Sequence, residues 1–305
     1  MTALPKVSIG LPVYNGERHV DHAIASIVSQ TFEDFELIVS DNASTDATGD
    51  ICRRWAERDD RIHYVRNPSN IGAAPNYHQV FRLARADLFK WSAHDDMLEP
   101  GFLESCATAL GGDDRAVLAY TAARQVDGDG NPLGEIPRFS HVVSPDPVER
   151  FREVVRKERL NLPIFGLIRA PALRETALPG SYHASARVQL AELALRGTFA
   201  FVPAVHFVHR NHPAGSLRAY SSVHELRNWY DTGRSAGTYL PRWEYMGGLM
   251  GAATRAPLSW RQRSGCYGEA VRWAFEKRRS LALDLAEAGR QLVGSAVSAV
   301  RRTTA

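Results

Sequence analysis

Two adjacent carboxylates, Asp95 and Asp96, follow a short apolar run, Asp87-Leu-Phe-Lys-Trp, inside the stretch KWSAHDDMLEP (90–100). A strand tip that delivers two acids to one point is costly unless a cation meets them, because unpaired buried carboxylates are strongly disfavoured. Mg²⁺ or Mn²⁺ suits the task, since both take carboxylate and phosphate oxygens. The plain alternative is that Asp95 caps a helix beginning near Met97 while Asp96 faces solvent. Further polar clusters precede this one: Tyr14-Asn15-Gly, then Ser40-Asp41-Asn42-Ala-Ser-Thr-Asp46, then Asn67-Pro-Ser-Asn70-Ile-Gly. Each alone is ordinary turn chemistry.

The elements between these clusters give them a common purpose. Val7-Ser-Ile-Gly-Leu-Pro-Val reads as a buried strand, with Pro12 ending its ladder. His19–Gln30 has helical spacing, Phe35–Val39 is a second strand, and Ala47–Glu57 a second helix. Arg61–Val65 is a third strand, followed by a helix over about 74–85 and the strand that carries Asp95 and Asp96. Strands alternating with helices predict a doubly wound, mostly parallel sheet. Every polar cluster falls at a strand's carboxyl end, the edge where open α/β sheets bind ligands. Tyr14, Asn15, Asp41, Asn42, Asn70 and Asp95 are therefore expected to converge on one crevice.

Composition narrows the chemistry. The chain has 305 residues, 44% of them hydrophobic, enough for a sizeable core. Basic and acidic residues number 37 and 34, a balance that does not point to nucleic acid. Cys52, Cys106 and Cys266 are widely spaced, with no CxxC, so neither zinc nor a disulfide framework is indicated and a reducing cytoplasm is expected. Pro5 and Lys6 lead straight into a strand, so no signal peptide is expected, and no apolar run is long enough to span a bilayer. GxGxxG and GxxxxGK[ST] are both missing, which argues against a dinucleotide fold and a P-loop.

Taken together, VSIGLPVYNGERHVDHAIASIVSQTFEDFELIVSDNASTD, NPSNIGAAPN and WSAHDDMLEPGFLE resemble glycosyltransferase family 2, whose members use nucleotide-activated sugars on a GT-A fold. The likeness covers residues 5–110 closely and 160–215 more loosely. It implies a nucleoside-diphosphate sugar donor, an inverting, metal-dependent transfer of a hexosyl type, and a role in cell-surface polysaccharide or glycoconjugate synthesis. By the same resemblance Asp96 and Asp95 hold Mg²⁺ or Mn²⁺. Asp41 reads the base or ribose, and Pro12, Tyr14 and Asn15 line the nucleoside, with Asn70 and Asp95 nearby. Arg210 and His212, in His209-Arg-Asn-His-Pro, match the segment that closes over diphosphate and metal. A nucleotidyltransferase is a weaker alternative, because its Gly- and Lys/Arg-rich first loop is missing.

One position departs from the family pattern. The acid that serves as general base at the start of the helix containing AELALRG is here Ala186, which can accept no proton. His183 and Glu192 are the nearby titratable substitutes. A catalytically weak nucleotide-sugar-binding protein of the same fold is therefore the alternative function.

The second half is expected to carry acceptor selectivity. It reads as a strand over 116–120, a hairpin turn at Asp127-Gly-Asp-Gly-Asn-Pro, a mobile loop over 140–147 and a helix over 147–157. A strand over 161–169, a helix over 187–196 and a strand over 199–208 follow. Three units result: a donor half (1–110), an acceptor half (111–218) and a helical C-terminal extension (219–305). In the extension, Trp229, Tyr230, Tyr239, Trp243 and Tyr245 read as packing. Arg272–Arg279 and Leu281–Val300 read as amphipathic helices, packed on the enzyme or a homodimer partner. Alternatively they lie on the inner membrane face beside a saccharide or lipid-linked acceptor.

Overall fold

In the computed structural model, which describes residues 4–139, 142–156, 161–213, 223–234 and 239–303, the first strand is β1 (Val7–Val13), buried at every position. The chain continues through α1 (Val20–Val28), β2 (Phe35–Asp41), α2 (Thr48–Ala56), β3 (Ile62–Arg66), α3 (Ala73–Leu83) and β4 (Leu88–Trp91). These four strands are parallel, in the order β3-β2-β1-β4. The apolar runs of β1 and β2 are buried on both faces under the helical crossovers, whereas β3, at the sheet edge, leaves His63 and Arg66 exposed. Gly10 lets α3 approach closely: a Cβ there would lie 2.6 Å from Val80 Cγ2.

After β4 the order becomes mixed. Met97–Leu98 is not the start of a helix but a short strand, β5, paired with a later strand at Phe207 and Val208. Next come α4 (Phe102–Gly111), β6 (Ala116–Val126), β7 (Pro132–Ile136) and α5 (Pro147–Arg156), the 127–131 turn joining β6 to β7 as expected. The strand expected over 161–169 is instead a 3-10 turn (Leu162–Phe165) and a three-residue strand, β8 (Leu167–Arg169). Pro163 explains this, since it fixes its own φ and can donate nothing to a ladder. The remaining elements are α6 (Ala170–Arg174), α7 (Ser185–Arg196), β9 (Thr198–Arg210), α8 (Val223–Tyr230), α9 (Pro241–Arg255), α10 (Trp260–Glu276) and α11 (Arg278–Thr303).

The sheet is therefore mostly parallel, ordered β3-β2-β1-β4-β8-β6-β9-β5, with β7 on the flank of β6. β6 and β9 run parallel and both exceed their expected lengths, so that β9 ends at Arg210 beside the tip of β4. The loop expected to be mobile over 140–147 begins with two residues outside those described, and at Val142 it is anchored. That side chain is fully buried and its carbonyl accepts from Phe199 N at 2.8 Å.

The C-terminal helices share a core with the sheet: Tyr245, Leu249, Ala252, Cys266 and Ala270 pack in one cluster with Phe151, Leu190 and Phe199. The helix expected from Arg272 begins at Trp260. Ser259 caps it, accepting from Gln262 N in a full capping box. Lys90 on β4 is buried completely. Its ammonium donates to Trp91 O at 2.9 Å and Phe165 O at 2.5 Å, and faces the Phe102 and Phe207 rings.

Candidate active site

The parallel register brings the expected clusters to one edge. Asn42 N donates to Val13 O, Asn67 N to Asp41 O and Ser92 N to Gly10 O, each at 2.8 Å, so β1, β2 and β3 end side by side while β4 stops level with Gly10, short of the end of β1. Pro12 is buried within β1, while Tyr14 is exposed at its tip. Asn15 takes a left-handed φ of 48°, and its side-chain oxygen accepts from Thr45 N at 2.8 Å. Asn70 Oδ1 accepts from Asn42 Nδ2 (2.8 Å) and Gly72 N (2.9 Å), which fixes the loop after β3 against the end of β2.

Asp41 is fully buried. Its Oδ1 accepts from Ser44 N at 2.8 Å, and its Oδ2 from the Tyr64 hydroxyl at 2.7 Å and from the Arg66 guanidinium. Sequence reading missed Tyr64 and Arg66. Asp41 and Arg66 are register partners on β2 and β3, and only strand pairing reveals that.

The acids at the tip of β4 face the end of β9. Asp95 Oδ2 lies 3.0 Å from His212 Nε2. Asp96 Oδ1 accepts from Arg210 N at 2.9 Å and lies 3.0 Å from His209 Nδ1, a partner that sequence reading also missed. Burial pushes the Asp95 carboxyl up, but the His212 bond and the charges of His94 and His212 outweigh it and hold the group at about 2. Asp96 moves the other way. Burial and the like charge of Asp95 raise it above the usual carboxylate range, against the opposing His209 bond. His19 closes the cluster edge-on to His212, with ring centroids 4.9 Å apart. Burial, then the charges of Arg210 and His212, lower it to about 4.

Arg210 differs from its expected role. Its guanidinium donates to the carbonyls of Asp95 (3.1 Å) and Gly128 (3.1 Å), stapling the 127–131 turn to the β4 tip in place of an open fork toward a diphosphate. The substitutes for a base separate as clearly. Glu192 is buried and held in two hydrogen bonds by Arg255, at 2.9 and 3.0 Å, with Arg196 beside it, so it is a structural ion pair. His183 keeps an exposed edge, while the protein around it and the charges of Arg187 and Arg242 lower its pKa. Ala186 lies in the first turn of α7, behind Ala184 with a left-handed φ of 66° and no side-chain cap.

Among the described residues, no group of three or more His, Cys, Asp or Glu is already clustered to hold a metal. Two observations nonetheless fit one. Among the described residues, no Lys or Arg side chain forms a salt bridge with Asp95 or Asp96. The buried Nε2 of His19 also has no hydrogen-bond partner there. Two acids would supply hard oxygen ligands and an imidazole a borderline nitrogen one, and a diphosphate would supply the remainder.

A sequence model described as "Glycosyl transferase family 2" matches residues 8–175, more than half of the chain. The chain belongs to glycosyltransferase family 2. A relative, an uncharacterized glycosyltransferase of Rickettsia typhi, is 29% identical over 168 residues, 55% of this chain and 48% of the relative. The chain thus spans about half the length of that relative. Among solved structures, S. aureus TarS 1-349 in complex with UDP-GlcNAc aligns with a TM-score of 0.62 at 13% identity, covering 91% of this chain and 75% of the other. Mannosyltransferase PcManGT from Pyrobaculum calidifontis, in complex with GDP-Man and Mn²⁺, aligns at 0.53 and 14%, covering 96% and 81%. At such identities these likenesses establish the fold, which is GT-A.

Proposed function

We propose that this family 2 protein transfers a sugar, of hexosyl type, from a nucleoside-diphosphate donor to an acceptor hydroxyl with inversion. The observation that carries the reading is the pairing of Asp95 and Asp96 at the β4 tip with His212 and His209 from the end of β9. That arrangement concentrates acids and imidazoles beside the crevice of Asp41, Asn42 and Asn70. The solved relatives named above were captured with UDP-GlcNAc or with GDP-Man and Mn²⁺, which supports a nucleotide sugar as donor.

In this reading Asp41, Asn15 and Asn70 orient the nucleoside, and Asp96, Asp95 and His212 hold Mg²⁺ or Mn²⁺. When bound, the ion neutralises charge developing on the diphosphate as the glycosidic bond breaks. Arg210 acts indirectly by fixing the backbone that presents Asp95, and His19 Nε2, which has no hydrogen-bond partner among the described residues, offers a donor or acceptor nearby. The acceptor is a saccharide or lipid-linked sugar in cell-surface polymer or glycoconjugate synthesis. The protein would work in the cytoplasm, peripheral to the inner membrane face through its C-terminal helices. No described helix is long and apolar enough to cross a membrane. A donor half, an acceptor half and the helical extension divide the labour.

Ala186 and the ion-paired Glu192 favour one second reading, a protein of the same fold that binds nucleotide sugar and transfers it slowly. Release of free nucleoside diphosphate from a panel of UDP- and GDP-sugars, with Mn²⁺ and with or without acceptor, tests both. Turnover supports transfer; tight binding without release supports the second reading; neither would sink both.

A further inference from the structure

We propose that the outer face of α10 is a docking surface for anionic lipid headgroups. The proposal rests on the peripheral-contact reading above and is independent of the transfer chemistry. The inner face of α10 is committed to the fold. Cys266 and Ala270 enter the core, Trp273 packs on Tyr245 with ring centroids 4.7 Å apart, and Glu269 accepts from Arg152 and Arg156 of α5 at 2.8 Å. The opposite face has no such use. Trp260 is 75% exposed, Val271 53% and Phe275 68%, far above what apolar side chains of that size normally leave in water.

Their spacing is what aligns them. At ~100° per residue, Trp260, Ser264, Gly268, Val271 and Phe275 share one stripe, roughly 22 Å long at the helical rise. The residues between the large side chains are Ser264 and Gly268, both exposed and both small, so the indole and phenyl rings stand proud of the surface. Basic side chains flank the stripe. Arg261 and Arg272 lie along one side, and Lys277, Arg278 and Arg279 cluster at its end, where the Arg278 guanidinium sits 4.6 Å from the Phe275 ring centroid.

Residues 260–280 hold six basic and two acidic side chains, whereas the whole chain is nearly balanced. One acid, Glu269, is turned inward to Arg152 and Arg156, and the other, Glu276, is paired with Arg272. Apolar rings rimmed by cations match the boundary between acyl chains and anionic headgroups. There the rings enter the interface and the cations stay at headgroup depth. An acidic protein would satisfy the cations but would leave a convex row of rings without a complementary pocket, so the lipid surface is the better fit. The contact extends the one expected over Arg272–Arg279 and Leu281–Val300 toward the start of α10, a helix whose inner face is packed in the core.

Flotation of the full chain with phosphatidylcholine vesicles, with and without phosphatidylglycerol, tests this. The chain should float only with the anionic vesicles. Trp260→Ser/Val271→Ser/Phe275→Ser should reduce the bound fraction roughly tenfold or more, and Arg261→Gln/Arg278→Gln/Arg279→Gln should reduce it with a weaker salt dependence. Melting temperature and nucleotide affinity of both variants should stay unchanged, since no altered residue is in the core or the site. A parent chain that ignores anionic vesicles would end the peripheral-contact reading as well. Binding by the parent and equally by the triple Ser variant would overturn only the assignment to α10. A stable dimer dissolved by the same three substitutions, without vesicle binding, would show that the face pairs with a second copy instead.

Discussion

Asp95 and His212 are in contact, carboxylate oxygen to ring nitrogen at 3.0 Å, although 117 positions separate them in sequence. The contact ties the tip of β4 to the segment leaving β9, so the first four strands and the later part of the sheet meet at this charged cluster. A change at either residue should therefore be felt in how diphosphate is held.

The Asp96 carboxylate gives the sharpest case. Asp96→Asn keeps the acceptor for Arg210 N but removes the charge, so nucleoside-diphosphate affinity should fall about tenfold or more in Mn²⁺ and little without it. Calorimetry under the two conditions decides. Equal affinity of variant and parent in Mn²⁺ would remove the metal assignment.

Asp41 should behave differently. Asp41→Asn should weaken nucleotide binding whether or not metal is present. It should also lower the melting temperature, because Arg66 and Tyr64 lose a buried charged partner worth about 1–3 kcal/mol. A loss seen only in Mn²⁺ would contradict the separation of nucleoside and metal roles.

Ala186 makes a prediction about rate. A positioned base contributes roughly 10²–10⁴-fold to attack by a hydroxyl. Ala186→Asp should raise transfer at saturating donor by at least about tenfold, with donor affinity little changed. Fast turnover in the parent, with no gain from the carboxylate, would locate the base elsewhere. If His183 serves, the parent rate should be flat at neutral pH and fall only below its ordinary titration range, since its pKa is lowered.

Stability in acid should depend on Glu36. It is buried on β2; burial alone would raise its pKa, but the Ser8 hydroxyl at 2.6 Å and Arg85 at 2.8 Å outweigh that and lower it. A folded pKa below the unfolded one means the contribution is complete above about pH 4.3 and is lost as pH falls through the folded value. Glu36→Gln should cost about 1–3 kcal/mol at pH 7, nearer the low end because Arg85 is half exposed, and should flatten the acid limb of the stability profile. Chemical denaturation at several pH values measures both effects.

Much of the stretch from β1 to β4 was legible because its signals are local. Apolar runs alternating with segments of helical spacing located β1 to β4, and polar residues at strand ends announced the site. What escaped depends on which strands become neighbours. Arg66 reaches Asp41 only because β2 and β3 pair in that register, and His209 reaches Asp96 only because β9 is long enough to end beside β4. Arg210 looked free because the carbonyls that occupy it, at Asp95 and Gly128, lie on other segments and carry no side-chain signal. Glu192 looked like a spare acid for the same reason, its partner Arg255 being on α9.

Lys90 has a practical consequence. The chain contains four lysines, and this one is sealed between two phenyl rings and two carbonyl groups, its pKa lowered from 10.5 to about 7 by burial. Burial favours the neutral amine, the form that acylating reagents attack, so enclosure rather than charge is what protects it. Lys6, by contrast, lies open on the surface. In a timed acylation experiment Lys6 acts as an internal clock for reagent strength, while Lys90 reacts only when β4 separates from its neighbours. A single peptide carrying Lys90 therefore reports how often the centre of the sheet opens, with no engineered label required.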